Sequence, residues 1–513
     1  MTAAIAAPAT APPRAPRSVM VRVFLACWVI YCAHFSPFVV RELYLAMSLA
    51  ERATPRVDPY YDLHADLFPI EGRGWYMGGN PGASLLAAVP YALLQPVVQR
   101  LAPIRPVPPG EKVSAQYEEE RANKLLFYRM ARERGLDLRL GVAAMVAMVF
   151  CMAPLSALSA VVMFRLMEQM GFALRPALWM TFLYALGTPV FFRTGTLSLN
   201  LVVALCGLFA FAALWWPVGT RPQNEILRTV TCGFFAGFAV LTDFTGAITA
   251  SVLGLWALAR QMETRRFWPA ALSSLWFLAG AALPVGFLFY WQWLCYGNPW
   301  LPAQFHMPQI IYTGYAGQHG FGAPQPAALW ALLFDPLFGL LIFAPILAVA
   351  LYHFALVKRG TNGVPGRVAW LAWAYFAALW VFCSCIHYTL RHQWQDGIRY
   401  MVPVVPLLFL LVADVLRQAK PWITALLGTA ALVETFCLSM VRESPWESLQ
   451  RVFTGGIEFP WLTALARTAA QYAPAVADHT TAIAWGAAGF TALLVRVIWR
   501  AGRRGPLEHP GGV

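Results

Sequence analysis

Two groups of residues in this 513-residue chain carry side chains that can do chemistry. The first opens with Arg41-Glu42, directly after an apolar run, and continues through Asp58, Asp62, His64 and Asp66. Carboxylates and an imidazole in such a group can take a proton from a hydroxyl, or hold a divalent cation that polarises a phosphate. Asp58, Asp62 and Asp66 lie four apart. On a helix they would share a face, although Pro59 permits a helix only to begin there; a loop laying the acids around a cavity is equally compatible. The second group is His387, Arg391, His392 and Arg399, between two apolar runs. Arginine at an interface pairs well with phosphate oxygens. Both groups also have a plain reading, as solvated loop acids and as cations anchored to headgroups. Tyr388, Trp394 and Tyr400 fit an interfacial belt or a sugar-stacking surface. Glu42 resists the plain reading most, because an acid at a span end beside a bilayer is costly to keep there.

The elements that position these groups are membrane helices. The chain is 59% hydrophobic and 12% charged, about half the charged fraction of a soluble protein. Its long apolar runs do not alternate, which argues against a β-barrel. The expected fold is an all-α polytopic membrane protein of about twelve transmembrane helices, over 19–40, 139–164, 174–192, 196–216, 230–243, 245–259, 269–290, 327–352, 367–387, 399–417, 420–440 and 480–500. Basic residues recur in alternate short loops, whereas 291–325 has no Lys or Arg. That asymmetry places both termini in the cytoplasm of an inner-membrane protein. It also leaves 82–98, interrupted by Pro90 and Pro96, as a re-entrant or surface-lying helix on the outer face. The expected organisation is a disordered cytoplasmic stretch 1–18, a transmembrane domain 19–440 with a large outer loop 41–138, an outer segment 441–479, a last helix 480–500 and a cytoplasmic tail 501–513. RELYLAMSLAER, 41–52, reads as an amphipathic helix on the membrane surface, holding Glu42 at the interface.

The net charge of +13 sits at the ends of apolar runs, the pattern of topology signals and contact with membrane lipids, and no nucleic-acid partner is expected. The nine cysteines form no zinc-ligand spacing and no disulfide is expected. Four further acids stand in or near apolar runs. Asp243 lies at a helix break where it can face a cavity, Asp335-Pro336 marks a kink, Asp414 reads as solvated at a helix end, and Glu434 lies within a span.

The order of these features resembles the first outer loop of GT-C-fold membrane glycosyltransferases, the superfamily of protein O-mannosyltransferases and lipid A aminoarabinose transferases. A first span is followed by an acid, an amphipathic surface helix, an acidic-aromatic loop and the turn "GGNPGASLLAAVPYAL". "GFFAGFAVLTDFTGAITASVLGL", "LLFDPLFGLLIFAPIL" and "DGIRYMVPVVPLLFLL" resemble later helices of bacterial members. Two positions depart from that pattern: Asn80-Pro81-Gly82 where two prolines are usual, and Asp243 where a lysine is frequent. The resemblance implies an inverting transferase that moves a sugar from a polyprenyl-phosphate donor to an envelope glycan, lipid or protein acceptor. Glu42 would be the base and Asp58 its alternative. Arg41, Asp62, His64, Asp66 and Asn80 would position acceptor or donor, a divalent metal being possible, and His387, Arg391, His392 and Arg399 would receive the phosphate. A transporter or lipid flippase, and a non-catalytic lipid-binding relative, are the competing readings. The first would carry charges along the bundle centre and repeated halves, whereas this chain concentrates its acids in one outer loop beside the first span and shows no internal repeat.

Overall fold

The computed structural model describes residues 16–108, 122–216, 222–308, 314–315, 317–388, 397–468 and 474–501. Its helices in chain order are α1 Arg17–Ala33, α2 Arg41–Arg52, α3 Gly82–Leu101, α4 Ala122–Glu133, α5 Asp137–Gln169, α6 Leu174–Leu186, α7 Pro189–Thr194, α8 Leu199–Ala213, α9 Glu225–Thr242, α10 Gly246–Met262 and α11 Phe267–Tyr296. They continue with α12 Pro326–Phe334, α13 Leu340–Phe343, α14 His353–Arg359, α15 Gly366–Ser384, α16 Val405–Gln418, α17 Pro421–Val441, α18 Pro445–Gly455, α19 Pro460–Thr468, α20 Pro474–Asp478 and α21 Thr480–Ala501. The chain has the expected all-α polytopic architecture. Among the described residues seven helices, α3, α5, α9, α11, α15, α17 and α21, are long and apolar enough to cross a membrane unbroken.

Several passages are more broken than the sequence suggests. The first helix ends at Ala33, and residues 34–40 run on without helix to α2. Ser36-Pro37 explains the stop, because the residue before a proline avoids the helical region. The stretch read as one span over 327–352 is divided into α12, α13 and a tight 3-10 run, Pro345–Tyr352. Asp335-Pro336 ends α12, and the Asp335 carboxylate accepts the Leu337 N–H at 2.8 Å, closing the turn. Asp414, read as solvated, is fully buried. Its oxygens accept the N–H groups of Gly363 at 2.9 Å and Val364 at 3.0 Å and lie 3.1 Å from His353 Nε2. It therefore ties the α14–α15 loop to α16. No disulfide joins any of the nine cysteines.

α9 and α11 pack most closely. A side chain at Gly233 or Gly237 would run into the backbone of Phe277 or Ala281, and one at Gly280 into that of Val230. Small residues of this kind let membrane helices approach closely, which gives the glycines of GFFAGFA a packing role.

α3 has the length and composition of a span, yet both its ends are tied to one side of the bundle. Asn80, just before it, donates to the Val240 carbonyl at the end of α9 (2.8 Å), and Gly82 lies against Thr242. At its far end Ala102 accepts from Arg139 Nε (2.6 Å) at the start of α5. If α5, α6 with α7, α8 and α9 each cross once, Arg139 and Thr242 lie on the same face. α3 then runs along that face beside α2, with Val89, Leu93 and Val97 exposed, as suits a helix lying at a bilayer surface.

Orientation has a direct test. Gln318 is exposed in the loop before α12, and Thr361 is exposed between α14 and α15. Gly363 would serve less well, since a side chain there collides with Arg417 and Asp414. In a cysteine-free background, Gln318→Cys is expected to react with a membrane-impermeant thiol reagent in spheroplasts and Thr361→Cys is not. The opposite pattern inverts the orientation.

Candidate functional site

The acidic loop folds into a 3-10 turn, Asp58–Tyr60, and an antiparallel hairpin of β1 Leu67–Ile70 and β2 Gly74–Met77. Gly72 supplies the positive φ that the tip requires (φ 70°). The register pairs Leu67 with Met77. Asp66 and Gly78 therefore face each other at the open end, where the Gly78 N–H donates to the Asp66 carbonyl at 2.7 Å. Tyr296, ending α11, secures the same end by donating to the Met77 carbonyl at 2.8 Å.

Arg41, the first residue of α2, reaches into this open end. Its Nη1 donates to Asp66 Oδ2 at 2.5 Å and to the Gly78 carbonyl at 3.1 Å, and its Nε donates to Glu42 Oε1 at 2.9 Å. One guanidinium thus joins a carboxylate from the surface helix to one from the hairpin. Gly79 lies against the same guanidinium, where a side chain would crowd it. The Glu42 side chain is 5% exposed, against 30% for Asp66. The Glu42 carbonyl accepts from Ser84 Oγ at 2.8 Å, which fastens the start of α2 to α3. The other end of α2 is held through Glu51, which accepts from Tyr91 Oη at 2.6 Å and Arg139 Nη1 at 3.1 Å.

Charge gathers around this centre. Burial alone would raise the Asp66 carboxyl, but Arg41, His64 and Arg399 outweigh it and hold the carboxyl below its usual range. Burial alone would lower the Arg41 guanidinium, but Asp66 and Glu42 raise it. Asp243, immediately after α9, is close enough to Arg41 and Glu42 to feel both charges, and its carboxyl is raised, mainly by burial. The Asp243 Oδ1 accepts the Thr245 N–H at 2.8 Å and the Thr245 hydroxyl at 2.6 Å, opening α10. Arg399 lies over the Tyr400 ring, 5.0 Å from its centroid.

The structure therefore joins Arg41, Glu42, His64 and Asp66 by direct contact, leaves Asp243 and Arg399 within electrostatic reach of them, and separates the other candidates. Asp58 serves the hairpin: one oxygen pairs with Arg56 at 2.8 Å and the other accepts the Trp75 N–H at 2.8 Å. Asp62 is exposed at a turn with φ of 59°. Asn80 holds α9, as above. His387 holds the loop before α12, with Nε2 3.0 Å from the Ala323 carbonyl. Arg391 and His392 lie outside the described residues. Ser84 and the Gly78 carbonyl have roles that the sequence reading missed; a serine opening an apolar helix was the available signal. Among the described residues no three acids, histidines or cysteines converge as metal ligands. Between Glu42 and Asp66 the cationic position is filled by Arg41, so this pair does not fit a bridging divalent ion.

A cavity of about 450 Å³ adjoins the segment that leads into α2. Val39 and Val40 line it, with Phe38, Lys124, Arg193 and Trp461 among its other walls. It reaches Gly397, two residues before Arg399.

The fold and site together define a polytopic α-helical membrane protein with a charged, hairpin-built centre at one face. No protein-family model and no curated protein sequence matches the chain. Solved structures do. ArnT from Cupriavidus metallidurans bound to undecaprenyl phosphate aligns at 16% identity and a TM-score of 0.49, over 94% of this chain and 76% of that one. The archaeal oligosaccharyltransferase AglB from Archaeoglobus fulgidus, in complex with an inhibitory peptide and a dolichol-phosphate, aligns at 13% identity and a TM-score of 0.40, over 87% of this chain and 57% of that one. Both are members of the GT-C fold, the superfamily that the sequence resembles.

Proposed function

We propose that this protein is a membrane glycosyltransferase that moves a sugar from a polyprenyl-phosphate donor to an envelope glycan, lipid or protein at the outer face of the inner membrane. One observation carries the reading: Arg41 holds the Glu42 and Asp66 carboxylates together at the start of a surface helix, with Arg399 near enough to act on Asp66. In this reading the acceptor hydroxyl gives its proton to Glu42 as its oxygen bonds to the sugar's anomeric carbon. The bond from that carbon to the phosphate oxygen breaks, and the lipid phosphate leaves with the electron pair. Attack opposite the leaving group inverts the anomeric centre. Arg399 stabilises the charge that develops on the phosphate. Burial shields Glu42 from bulk water, which limits competition from hydrolysis. Arg41 orients both carboxylates, and Asp66 and His64 border the open side where an acceptor would arrive.

The test is incubation of purified protein with polyprenyl-phosphate sugars, with and without divalent cations, reading release of lipid phosphate and glycosylated acceptor. Release that depends on acceptor supports transfer; donor binding with no release, whatever acceptor is added, would return the chain to the flippase or lipid-binding readings. Arg399→Ala is expected to weaken donor binding by ~1.5–3 kcal/mol, the loss of one charge-assisted contact. Arg391→Ala provides the comparison for the same loop. Unchanged donor binding in both variants and in the double variant would assign these arginines to headgroup anchoring.

A further inference from the structure

At the other end of α9 from the charged centre, arginines gather around two tryptophans. Arg228 stands in the first turn of α9, fifteen residues before Asp243, or about 22 Å along the helix. Its guanidinium lies over the Trp216 ring, 5.6 Å from the centroid, and that of Arg260 lies over the same ring at 4.6 Å. Arg260, near the end of α10, is 2% exposed. It donates to the Trp216 carbonyl at 2.7 Å and to the two Glu263 oxygens at 2.6 and 2.5 Å. Arg367, the second residue of α15, pairs with the same Glu263, donates to the same carbonyl at 3.5 Å and lies over Trp256 at 5.9 Å.

Positive charge is in excess here. Glu263 answers Arg260 and Arg367 together, and Glu225, one turn before Arg228, is taken by Arg265 at 2.8 Å. Four arginines thus share two glutamates, and among the described residues no acid pairs with Arg228. Guanidiniums crowded around one indole repel one another, and an anion beside Arg228 offsets that cost. The guanidinium fork matches a phosphate, which it can hold through two parallel bonds. An excess of positive charge also favours a headgroup with no cation of its own. The surroundings indicate what carries the phosphate. Ile226 and Leu227 beside Arg228 are exposed, as is Trp370, one turn after Arg367 on the same face. Arg228 therefore stands half-buried at an apolar rim, where a phosphate with acyl chains gains contacts that a soluble phosphate does not.

We propose that Arg228 binds the phosphate of one anionic glycerophospholipid beside the Trp216 indole, in the field of Arg260 and Arg367. The site lies away from the centre proposed for sugar transfer, and its test needs no activity. The full-length protein is placed in nanodiscs of phosphatidylcholine, alone or with a minor share of phosphatidylglycerol of matched chains. Phenylglyoxal then modifies accessible guanidiniums, and the adduct is quantified on the peptides carrying Arg228 and Arg266, an exposed arginine of the next loop. Phosphatidylglycerol is expected to slow modification of Arg228 about tenfold, equivalent to ~1.4 kcal/mol of charge-assisted binding, and to leave Arg266 little changed. Glycerol phosphate added to the phosphatidylcholine nanodiscs supplies the headgroup without the chains and is expected to protect neither. Equal protection of both arginines would make the effect one of general surface charge, and protection by glycerol phosphate would assign a soluble ligand. No change at Arg228, or no modification of it in either bilayer, would leave the cluster a structural brace. Each of these outcomes overturns the proposal.

Discussion

Glu42→Gln is expected to leave a folded protein that binds donor normally and transfers sugar at least ~100-fold more slowly, the low end for loss of a general base. The variant is informative because glutamine keeps an oxygen that can accept from Arg41 Nε, the 2.9 Å contact that orients this side chain. The Ser84 bond to the Glu42 backbone carbonyl is unaffected. The basicity and the negative charge are removed, while Arg41 keeps its pairing with Asp66. Asp66→Asn should reduce transfer less, because Arg41 and its neighbours already hold that carboxyl below its usual range and make it a poor base. Asp58→Asn should act mainly through the hairpin, since both its oxygens are committed to Arg56 and Trp75. The readout is kcat for lipid-phosphate release, with donor affinity measured separately. Full transfer by Glu42→Gln, with loss in Asp66→Asn or Asp58→Asn, would move the base to the other residue. Full transfer by all three would leave this loop without a catalytic role.

Arg41→Met is expected to cost stability as well as activity. It strands the Glu42 carboxylate where only 5% of the side chain is exposed, and breaking a buried pair costs about 3–5 kcal/mol. Asp66, at 30% exposure, adds less. Thermal midpoints in nanodiscs measure the loss, and its pH dependence separates the charge from the packing. In the wild type the Asp66 carboxyl is lowered, so its contribution is present above the ordinary carboxylate value of about 4 and is lost as pH falls through the lower folded value. The variant lacks that contribution. The gap between the two proteins should therefore be widest near neutrality and narrow below about pH 4. Arg41→Lys keeps the charge without the fork that spans two carboxylates, and should fall between them. A midpoint for Arg41→Met equal to wild type at pH 7 would show that the guanidinium organises nothing.

The centre was legible in the sequence by residue type, and its partition was not. Glu42 stood out because an acid directly after a span has few inexpensive reasons to be there. The four-residue spacing of Asp58, Asp62 and Asp66 suggested a shared role, yet Asp62 sits at a turn with positive φ and the hairpin begins after Asp66, so the three point apart. The hairpin was obscured because its strands are only four residues long, although Gly72 and Gly74 between aromatic and apolar residues were the available signal. Asp414 escaped for a different reason. Its backbone donors lie in a loop 50 and 51 residues away, and no local pattern reports a partner that distant. The apolar passages were plain from hydropathy and Asp335-Pro336 was legible as a kink, whereas the breaks at Pro37 and Pro345 were not drawn, although each proline removes a backbone donor.

Tolerance to mutation in this chain is set deep in the apolar layer as much as at the charged face. Asp243 sits just past the end of α9, ten residues from Gly233, or about 15 Å along the helix axis. At Gly233 and Gly280 the backbones of α9 and α11 leave no room for even a methyl group. An alanine there pushes the two helices apart, and a rigid helix carries that displacement to its far end. The spacing of Asp243 from Arg41 and Glu42 is thus inherited from residues far from the charged centre, and polymorphism confined to the hydrocarbon layer can shift the geometry at the membrane surface.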